Sequence, residues 1–330
     1  MVVAAILVVL GVAVFLRSKA PPEVARVLPE SDGIIYINFK PVRAFLHRDL
    51  RPPQRVPDYQ RFVDATGIDW ERDLDEAAIA LHRMPNPDGP NGPVAYSMVL
   101  EGKVNGARLK QWLGSHATNE ETYAGRVIFS IPSDGRTVRV AQIGYDMVAV
   151  SNTPTPEQIH SIIDRRHTAA LPFAGSTLLA RHYHDVPLLS LAWGVGQIGL
   201  PFSESGAIQI FGFRLPLEDG TTLIASITPR LRLGGQLRLR VEEIAPNEQT
   251  AASQAASLSV LANLARGYTA PLGPNPANDA LKQLLATTVV TQRHDRVLVT
   301  AQLHSAELAE IAAGENSQVE ATPDSGPASK

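Results

Sequence analysis

The residues best suited to chemistry in this chain are arginines that alternate with leucines between Thr228 and Glu243. This segment, TPRLRLGGQLRLRVEE, places Arg and Leu in alternate positions on both sides of a Gly pair. A period of two is typical of a strand with one buried face, so the pattern predicts a β-hairpin. Guanidinium groups bind phosphates and carboxylates through paired hydrogen bonds. The hairpin therefore predicts either an anion-binding face or a solvated face neutralised by nearby carboxylates.

The length of the turn decides which side chains share a face of the hairpin. A two-residue turn at Gly234–Gly235 would place Arg232 opposite Leu237 and mix the two faces. A three-residue loop over Gly234–Gln236 keeps every Leu on one face and every Arg on the other, so we predict this loop. In that register Arg232 lies opposite Arg238, and Arg230 lies opposite Arg240.

Like charges in directly opposite positions repel, so this arginine face needs compensating charge. One interpretation is a solvated sheet face with carboxylates on neighbouring strands. The candidate carboxylates are Glu218, Asp219, Glu242 and Glu243. The alternatives are an anionic lipid or glycan bound by the arginines, or a protein partner.

A second candidate site lies in the segment Arg181–Asp185, RHYHD. In an extended chain His182 and His184 project to one side beside the carboxylate of Asp185, and this set suits zinc or iron. Such a site would predict a metal-dependent hydrolase. In a helix the two histidines point to different faces, and surface histidines are then the simpler interpretation. Because no second motif with ligand spacing occurs, we expect no bound cofactor.

Composition and the remaining motifs favour a binding or scaffolding protein over an enzyme. The chain has 330 residues, 44% of them hydrophobic and 19% charged, which is typical of a globular protein. Its net charge of −3 gives no overall basic field, so we expect no nucleic-acid partner. The sequence contains no Cys, dinucleotide fingerprint, P-loop or nucleophile elbow. The dense carboxylates of Asp69–Glu76 are typical of a solvated helix start rather than an acid–base pair.

An apolar run at the amino terminus predicts a membrane anchor. Val2–Leu16 carries no charge and is followed by Arg17 and Lys19. A cleaved signal peptide, an uncleaved anchor and a buried helix can all contain such a run. The segment lacks a basic start, a small-x-small cleavage site and a polar helix face, which favours the uncleaved anchor. We therefore predict a transmembrane helix over residues 1–18 and a linker over residues 19–27.

The charges that flank this run leave the side of the membrane open. Arg17 and Lys19 follow the run, which favours a cytoplasmic domain under the positive-inside rule. Long domains, however, translocate largely regardless of such charges. We predict a single-pass protein of the bacterial inner membrane with its domain in the periplasm. The expected partners are the membrane itself and either other envelope proteins or anionic lipid.

Strand and helix signals after the linker predict an α+β fold with mainly antiparallel sheets packed against helices. Strands follow one another in meanders, with helices interspersed and no Gly-rich strand-to-helix turns. Thr122–Ile131 is predicted as one strand, followed by a turn over Pro132–Arg136 that contains Asp134–Gly135. Ser305–Ala312 is predicted as the last helix, and residues 315–330 lack an apolar pattern and predict a disordered tail.

A repeated sequence pattern indicates two duplicated lobes, over residues 28–168 and 169–314. Residues 140–163 and 289–312 both contain a strand, a tight turn with Asp, a strand and a capped helix. A hairpin followed by a helix is also common in unrelated α+β proteins. The duplication is therefore one of two interpretations of the same pattern.

Three segments and the amino-terminal run carry a resemblance to known sequences. The segments are LPESDGIIYINF, ATGIDWERDLDEA and YAGRVIFSIP. Together they resemble uncharacterised single-pass, membrane-anchored bacterial envelope proteins of a domain-of-unknown-function type. The resemblance extends loosely over most of the chain. It implies a location in the envelope and a fold type, and it implies no catalytic residues.

Overall fold

The computed structural model describes residues 20–46, 57–168, 175–197, 207–210, 213–216, 221–230, 235–269, 273 and 276–304. The strands are β1 (Gly33–Asn38), β2 (Leu74–Arg83), β3 (Val94–Gly102), β4 (Asn119–Tyr123), β5 (Arg126–Ser133), β6 (Arg136–Gln142), β7 (Met147–Ser151), β8 (Ala192–Gln197), β9 (Ala207–Ile210), β10 (Phe213–Pro216), β11 (Thr222–Arg230), β12 (Gln236–Ile244), β13 (Val289–Arg293) and β14 (Arg296–His304). The helices are α1 (Glu23–Arg26), α2 (Phe39–Leu46), α3 (Pro57–Thr66), α4 (Trp70–Asp73), α5 (Gly106–His116), α6 (Glu157–Thr168), α7 (Thr177–His182), α8 (Glu248–Thr269) and α9 (Pro276–Thr287). A 3-10 turn over Tyr183–Asp185 follows α7.

Twelve of these strands form one antiparallel sheet. Their order is β13-β14-β12-β11-β8-β1-β2-β3-β7-β6-β5-β4, and β9 pairs separately with β10. The ladders on both sides of β1 are antiparallel, as are those on both sides of β12. The predicted α+β fold with a mainly antiparallel sheet is therefore confirmed.

The two halves of the chain meet where β1 pairs with β8. Outward from this pair, one half has the order β1-β2-β3-β7-β6 and the other has β8-β11-β12-β14-β13. In the first half β3 pairs with β7, the second strand of the hairpin β6-β7, and α5 lies in the chain between β3 and this hairpin. In the second half β12 pairs with β14, the second strand of the hairpin β13-β14, and α8 and α9 lie between them in the chain. These hairpins, β6-β7 and β13-β14, are the ones whose sequences echo each other. The two halves of the chain therefore share one sheet and repeat one strand order. The duplication itself stays a prediction.

Helices pack on both faces of the sheet. On the face that bears Tyr36, called the Tyr36 face below, α1, α6 and α7 bury Val24, Ile159 and Leu179. The opposite face bears Phe129, against which α5 packs Leu109 and Leu113. In the carboxy-terminal half, α8 and α9 cover this second face beside β13 and β14. Both sides of the alternating strand pattern are therefore used to build the core.

The chain enters the core earlier than the predicted linker over residues 19–27 allows. Glu23–Arg26 forms α1, and Val24, Ala25 and Val27 are completely buried on the Tyr36 face. The prediction was wrong from Glu23 onward, because these small apolar side chains fill the space above the sheet. The preceding proline suits the first turn of a helix, where no backbone donor is needed.

The predicted strand Thr122–Ile131 is two strands, β4 and β5. Ala124 and Gly125 form the turn between them, with φ of 46° and 76°. Positive φ at both central positions is the type I′ hairpin geometry, which alanine seldom adopts. Residue type therefore carried no turn signal at position 124. The turn at Asp134–Gly135, with φ of 49° and 74°, was predicted correctly because Asp-Gly favours this geometry.

Several predictions concern residues outside the described ranges. They are the anchor over residues 1–18, Arg232 of the arginine face, the candidate carboxylates Glu218 and Asp219, the helix Ser305–Ala312 and the tail over residues 315–330. Among the helices that the structure describes, none combines the length and the hydropathy of a membrane span.

Two carboxylates lie opposite each other where β2 and β3 pair. Glu76 faces Glu101 just after a β-bulge in β2, on the Tyr36 face. Tyr36 is a diagonal neighbour of Glu76 on this face. Burial, with smaller contributions from Glu76 and Asp146, raises the pKa of Glu101 to about 7. The folded protein therefore holds a proton on Glu101 that the unfolded chain releases at lower pH.

Replacing Glu101 should remove a pH-dependent loss of stability. Because the pKa of Glu101 rises from 4.5 to about 7 on folding, its favourable contribution is complete below the lower value and is lost as pH rises through the higher one. We expect Glu101→Gln to raise the free energy of unfolding at about pH 8 by about 1 kcal/mol, allowing for solvent screening. Urea denaturation as a function of pH measures this change.

The matched control is Asp88→Asn, which removes an exposed carboxylate from the loop between β2 and β3. This variant should keep the pH dependence of the natural sequence. A Glu101→Gln protein that loses stability with rising pH as steeply as the Asp88→Asn protein would contradict the prediction.

Candidate functional site

The arginine hairpin is formed by β11 and β12, in a register that differs from the predicted one. Arg230 lies opposite Gln236, not opposite Arg240, and the loop spans residues 231–235. Alternation alone is satisfied by every register that is shifted by two residues. The choice is made by the neighbouring strands, because β12 also pairs with β14 and there places Leu237 opposite Leu303, both buried.

The arginines nevertheless share one face, as predicted. The predicted and observed loops both contain an odd number of residues, so the parity of the two strands is unchanged. Thr228 lies opposite Arg238 and Ser226 lies opposite Arg240, which puts Arg230 on the same side as both arginines. This side is the Tyr36 face, since Glu242 of the same strand lies opposite the core residue Ile224.

Two further arginines join this face from β13 and β14. Arg293 lies opposite Arg296, and Arg296 lies opposite Ile244 of β12, so both share its side of the sheet. We call the set the arginine face; its described members are Arg230, Arg238, Arg240, Arg293 and Arg296. The sequence pattern missed the last two because no Leu–Arg alternation surrounds them. Only the strand order brings them beside the hairpin.

Part of the arginine face is neutralised by a buried carboxylate. The Arg240 Nη2 donates to the Glu242 Oε2 at 2.5 Å, and the Arg296 Nη1 donates to the Glu242 Oε1 at 2.9 Å. Only 6% of the Glu242 side chain is exposed, so its charge needs a cationic partner. Of the candidate carboxylates, Glu242 was therefore predicted correctly, whereas Glu243 lies on the opposite face.

Other members of the face have neutral partners or reach solvent. The Arg230 Nη1 donates to the Gln302 Oε1 at 2.8 Å. Arg238 and Arg293 are exposed. Exposed guanidinium groups beside a fixed charge network are able to bind a phosphate, sulfate or carboxylate group without disturbing the fold. The arrangement is therefore suited to anion binding at Arg238 and Arg293.

The second predicted site meets the arginine face at Arg296. The Arg296 Nη1 also donates to the Asp185 Oδ1 at 2.7 Å, so Asp185 and Glu242 share one guanidinium group. Hydrogen bonds to Glu242 and then to Asp185 raise the pKa of Arg296. The 3-10 turn is thereby tied to β14 across the edge of the core.

The histidines beside Asp185 do not adopt the extended geometry on which the metal interpretation depended. His182 ends α7 and His184 lies in the 3-10 turn, so the segment is helical. The His184 side chain is 70% exposed, and its Nε2 lies 3.3 Å from the Asp185 Oδ2. Burial lowers the pKa of His182. Among the residues that the structure describes, no group of three or more His, Asp or Glu side chains is placed to hold a metal ion.

Arg296 should contribute more to stability than any other member of the arginine face. Arg296→Met leaves Asp185, whose side chain is only 11% exposed, with no guanidinium partner and only the exposed His184 beside it. It also leaves Glu242 with one partner. We expect a loss of about 3 kcal/mol in the free energy of unfolding, measured by urea denaturation followed by tryptophan fluorescence. Arg240→Met should cost about 1 kcal/mol, since Glu242 keeps Arg296.

The control for these variants is Arg126→Met, which removes an exposed arginine from β5. It should change the free energy of unfolding by about 0.5 kcal/mol at most. An Arg296→Met protein as stable as the Arg126→Met protein would show that the network adds nothing to the fold.

Comparisons with known proteins identify similar folds and no family. No family model and no curated protein matches the chain. Crystal form III of TP0453 is similar to it with a TM-score of 0.51 and 12% identity, covering 89% of this chain and 99% of that chain. Crystal form I of TP0453 gives a TM-score of 0.44 and 11% identity, with 90% and 98% covered. The likeness to form III is one of fold over nearly the whole of both chains.

Proposed function

We propose that this protein is a single-pass protein of the bacterial inner membrane whose α+β domain lies in the periplasm and acts by non-catalytic binding or scaffolding. The uncharged run Val2–Leu16 supports the anchor. The domain offers one long sheet with helices on both faces, which is suited to presenting a surface. Its partners are the membrane and either other envelope proteins or anionic lipid.

The observation that carries the binding role is the arginine face. Five arginines from four strands share one side of the sheet, and two carboxylates, Glu242 and Asp185, contact it. The carboxylates engage Arg240 and Arg296, while Arg238 and Arg293 remain exposed. An anionic lipid headgroup or an anionic glycan supplies the charge that these two side chains attract.

Export of the domain is tested with a reporter at the carboxy terminus. Alkaline phosphatase fused after Lys330 is active only when exported, so we expect activity from the full chain. Deletion of residues 2–16 should abolish it, since the apolar run directs insertion. The paired reporter is green fluorescent protein, which should stay dark when fused to the full chain. A silent phosphatase with a fluorescent partner fusion would place the domain in the cytoplasm.

Binding of anions is tested by removing the two exposed arginines. The full chain in phosphatidylcholine nanodiscs is mixed with vesicles that do or do not contain phosphatidylglycerol, and separately with dextran sulfate to represent an anionic glycan. We expect Arg238→Gln with Arg293→Gln to weaken anion binding about 30-fold, at about 1 kcal/mol for each arginine. Binding by the natural sequence should also weaken as salt is added.

The matched control is Arg126→Gln with Arg136→Gln, which removes two exposed arginines from β5 and β6 of the same sheet. Equal binding by the two double variants would refute the anion-binding role of the arginine face. Stoichiometric zinc or iron in the purified chain would instead favour the hydrolase interpretation of His182, His184 and Asp185 over a binding protein.

A further inference from the structure

One end of the sheet presents exposed apolar side chains. At this end, called the Asn38 end, the pairing of β1, β2, β3 and β7 brings Asn38 into line with Glu76, Glu101 and Met147. The turn between β6 and β7 lies here and holds Tyr145, which is 86% exposed. Tyr145 therefore lies at one end of the sheet.

The exposed Tyr145 in the turn between β6 and β7 is one apolar tip at this end. A second apolar tip precedes β8 at the same end. The backbone N–H of Asn38 donates to the carbonyl of Leu191, so the residues just before Leu191 lie beside the end of β1. Leu188 and Leu189 are 60% and 71% exposed. Leu189 has φ of +64°, a left-handed conformation that costs about 1 kcal/mol for a residue with a side chain.

Leu188 and Leu189 stay exposed although both the strained backbone and the lost burial of the leucines are unfavourable in free energy. The Ser190 Oγ donates to the Pro187 carbonyl at 2.6 Å and closes the turn. Burying a leucine is worth about 1.5–3 kcal/mol, which Leu188 and Leu189 largely forgo here. Backbone strain at an exposed apolar tip points to a binding function more than to stability of the fold.

The chain enters the domain at this same end. Glu23 begins α1, and its Oε1 accepts a hydrogen bond from Arg166 at 2.6 Å. The helix packs against β2 and β3, which carry Glu76 and Glu101 at this end. The proposed anchor ends at residue 18, so residues 19–22 connect it to α1. Four residues span about 14 Å at most, which keeps the Asn38 end near the membrane.

Cationic side chains accompany the apolar tips. Lys40 and Lys103 line an open cleft of about 950 Å³ beside Tyr145, which also contains the carboxylates of Asp75 and Asp146. The Lys40 ammonium group pairs with Asp75 at 3.3 Å. The Lys40 side chain is 57% exposed. Lysines that flank apolar groups suit the headgroup region of a bilayer, where the aliphatic stem lies against apolar surface and the ammonium group meets phosphate.

We propose that the Asn38 end lies on the membrane surface, with Tyr145, Leu188 and Leu189 inserted at the level of the lipid headgroups. The bilayer is the apolar phase that the anchor brings within reach of both tips, and it removes the exposed leucines from water. The inference rests on the proposed anchor. It adds to it a fixed orientation, with the loop between β2 and β3 pointing away from the membrane.

The absence of Cys from the chain allows a direct test by site-specific labelling. Tyr145→Cys and Leu188→Cys, each in the full chain, are labelled with an environment-sensitive fluorophore and reconstituted into vesicles of phosphatidylethanolamine and phosphatidylglycerol. We expect blue-shifted emission and quenching by nitroxide-labelled lipid at both positions. The matched control is Asp88→Cys, at the opposite end of the β2–β3 hairpin, which should show neither effect.

The outcomes distinguish a wrong orientation of the domain on the membrane from a wrong assignment of the anchor. If the labelled chain floats with the vesicles but positions 145 and 188 are as water-exposed as position 88, the anchor holds and the orientation is wrong. If the chain does not float with the vesicles, the anchor fails and this inference fails with it. Shielding that rises with the protein-to-lipid ratio, without quenching from lipid, would identify a second copy of the chain as the partner and overturn the proposal.

Discussion

The antiparallel pairing of β1 with β8 lies at the centre of the twelve-stranded sheet. It joins the two halves of the chain into one sheet and sets Tyr36 directly opposite Trp193. The two buried rings stack with their centroids 5.4 Å apart, and Tyr183 meets Trp193 edge-on at 5.5 Å. Tyr183 begins the 3-10 turn, so this aromatic cluster also directs Asp185 towards β14. The joint between the halves and the position of the charge network are therefore one arrangement.

The charge network shows how a sheet accommodates several arginines on one face. Arg240 and Arg296 neutralise Glu242 where burial makes an unpaired carboxylate unfavourable, and Arg296 is shared with Asp185. These two arginines supply the positive charge that the carboxylates of Glu242 and Asp185 need. Arg238 and Arg293 are not needed for that purpose and remain exposed. The network lies between these two exposed arginines along the strands. Such a face is well suited to binding, because a bound anion does not have to order the side chains that hold the sheet together.

Prediction from sequence succeeded where residue type determines local geometry. Asp134–Gly135 formed the expected turn, with φ of 49° and 74°. It failed where geometry is imposed from elsewhere. Ala124 takes a left-handed conformation because the strands on either side of it pair, and Glu23–Arg26 is helical because the sheet buries its apolar side chains. In the candidate site, the shared face of the arginines followed from parity, and the pairing with Glu242 followed from proximity along the strand.

The sequence by itself determined the alternation of buried and exposed positions, the α+β class, the odd loop between β11 and β12, and the apolar run that we assign to the membrane. Each of these depends on residues close together in the chain. Tertiary packing selected the register of the arginine hairpin and placed Arg293 and Arg296 on the arginine face. It also brought Asp185 and Glu242 to the same guanidinium group. These contacts join residues that are far apart in sequence, and periodicity is unchanged by a shift of two residues, so only the packing of neighbouring strands selects among the alternatives.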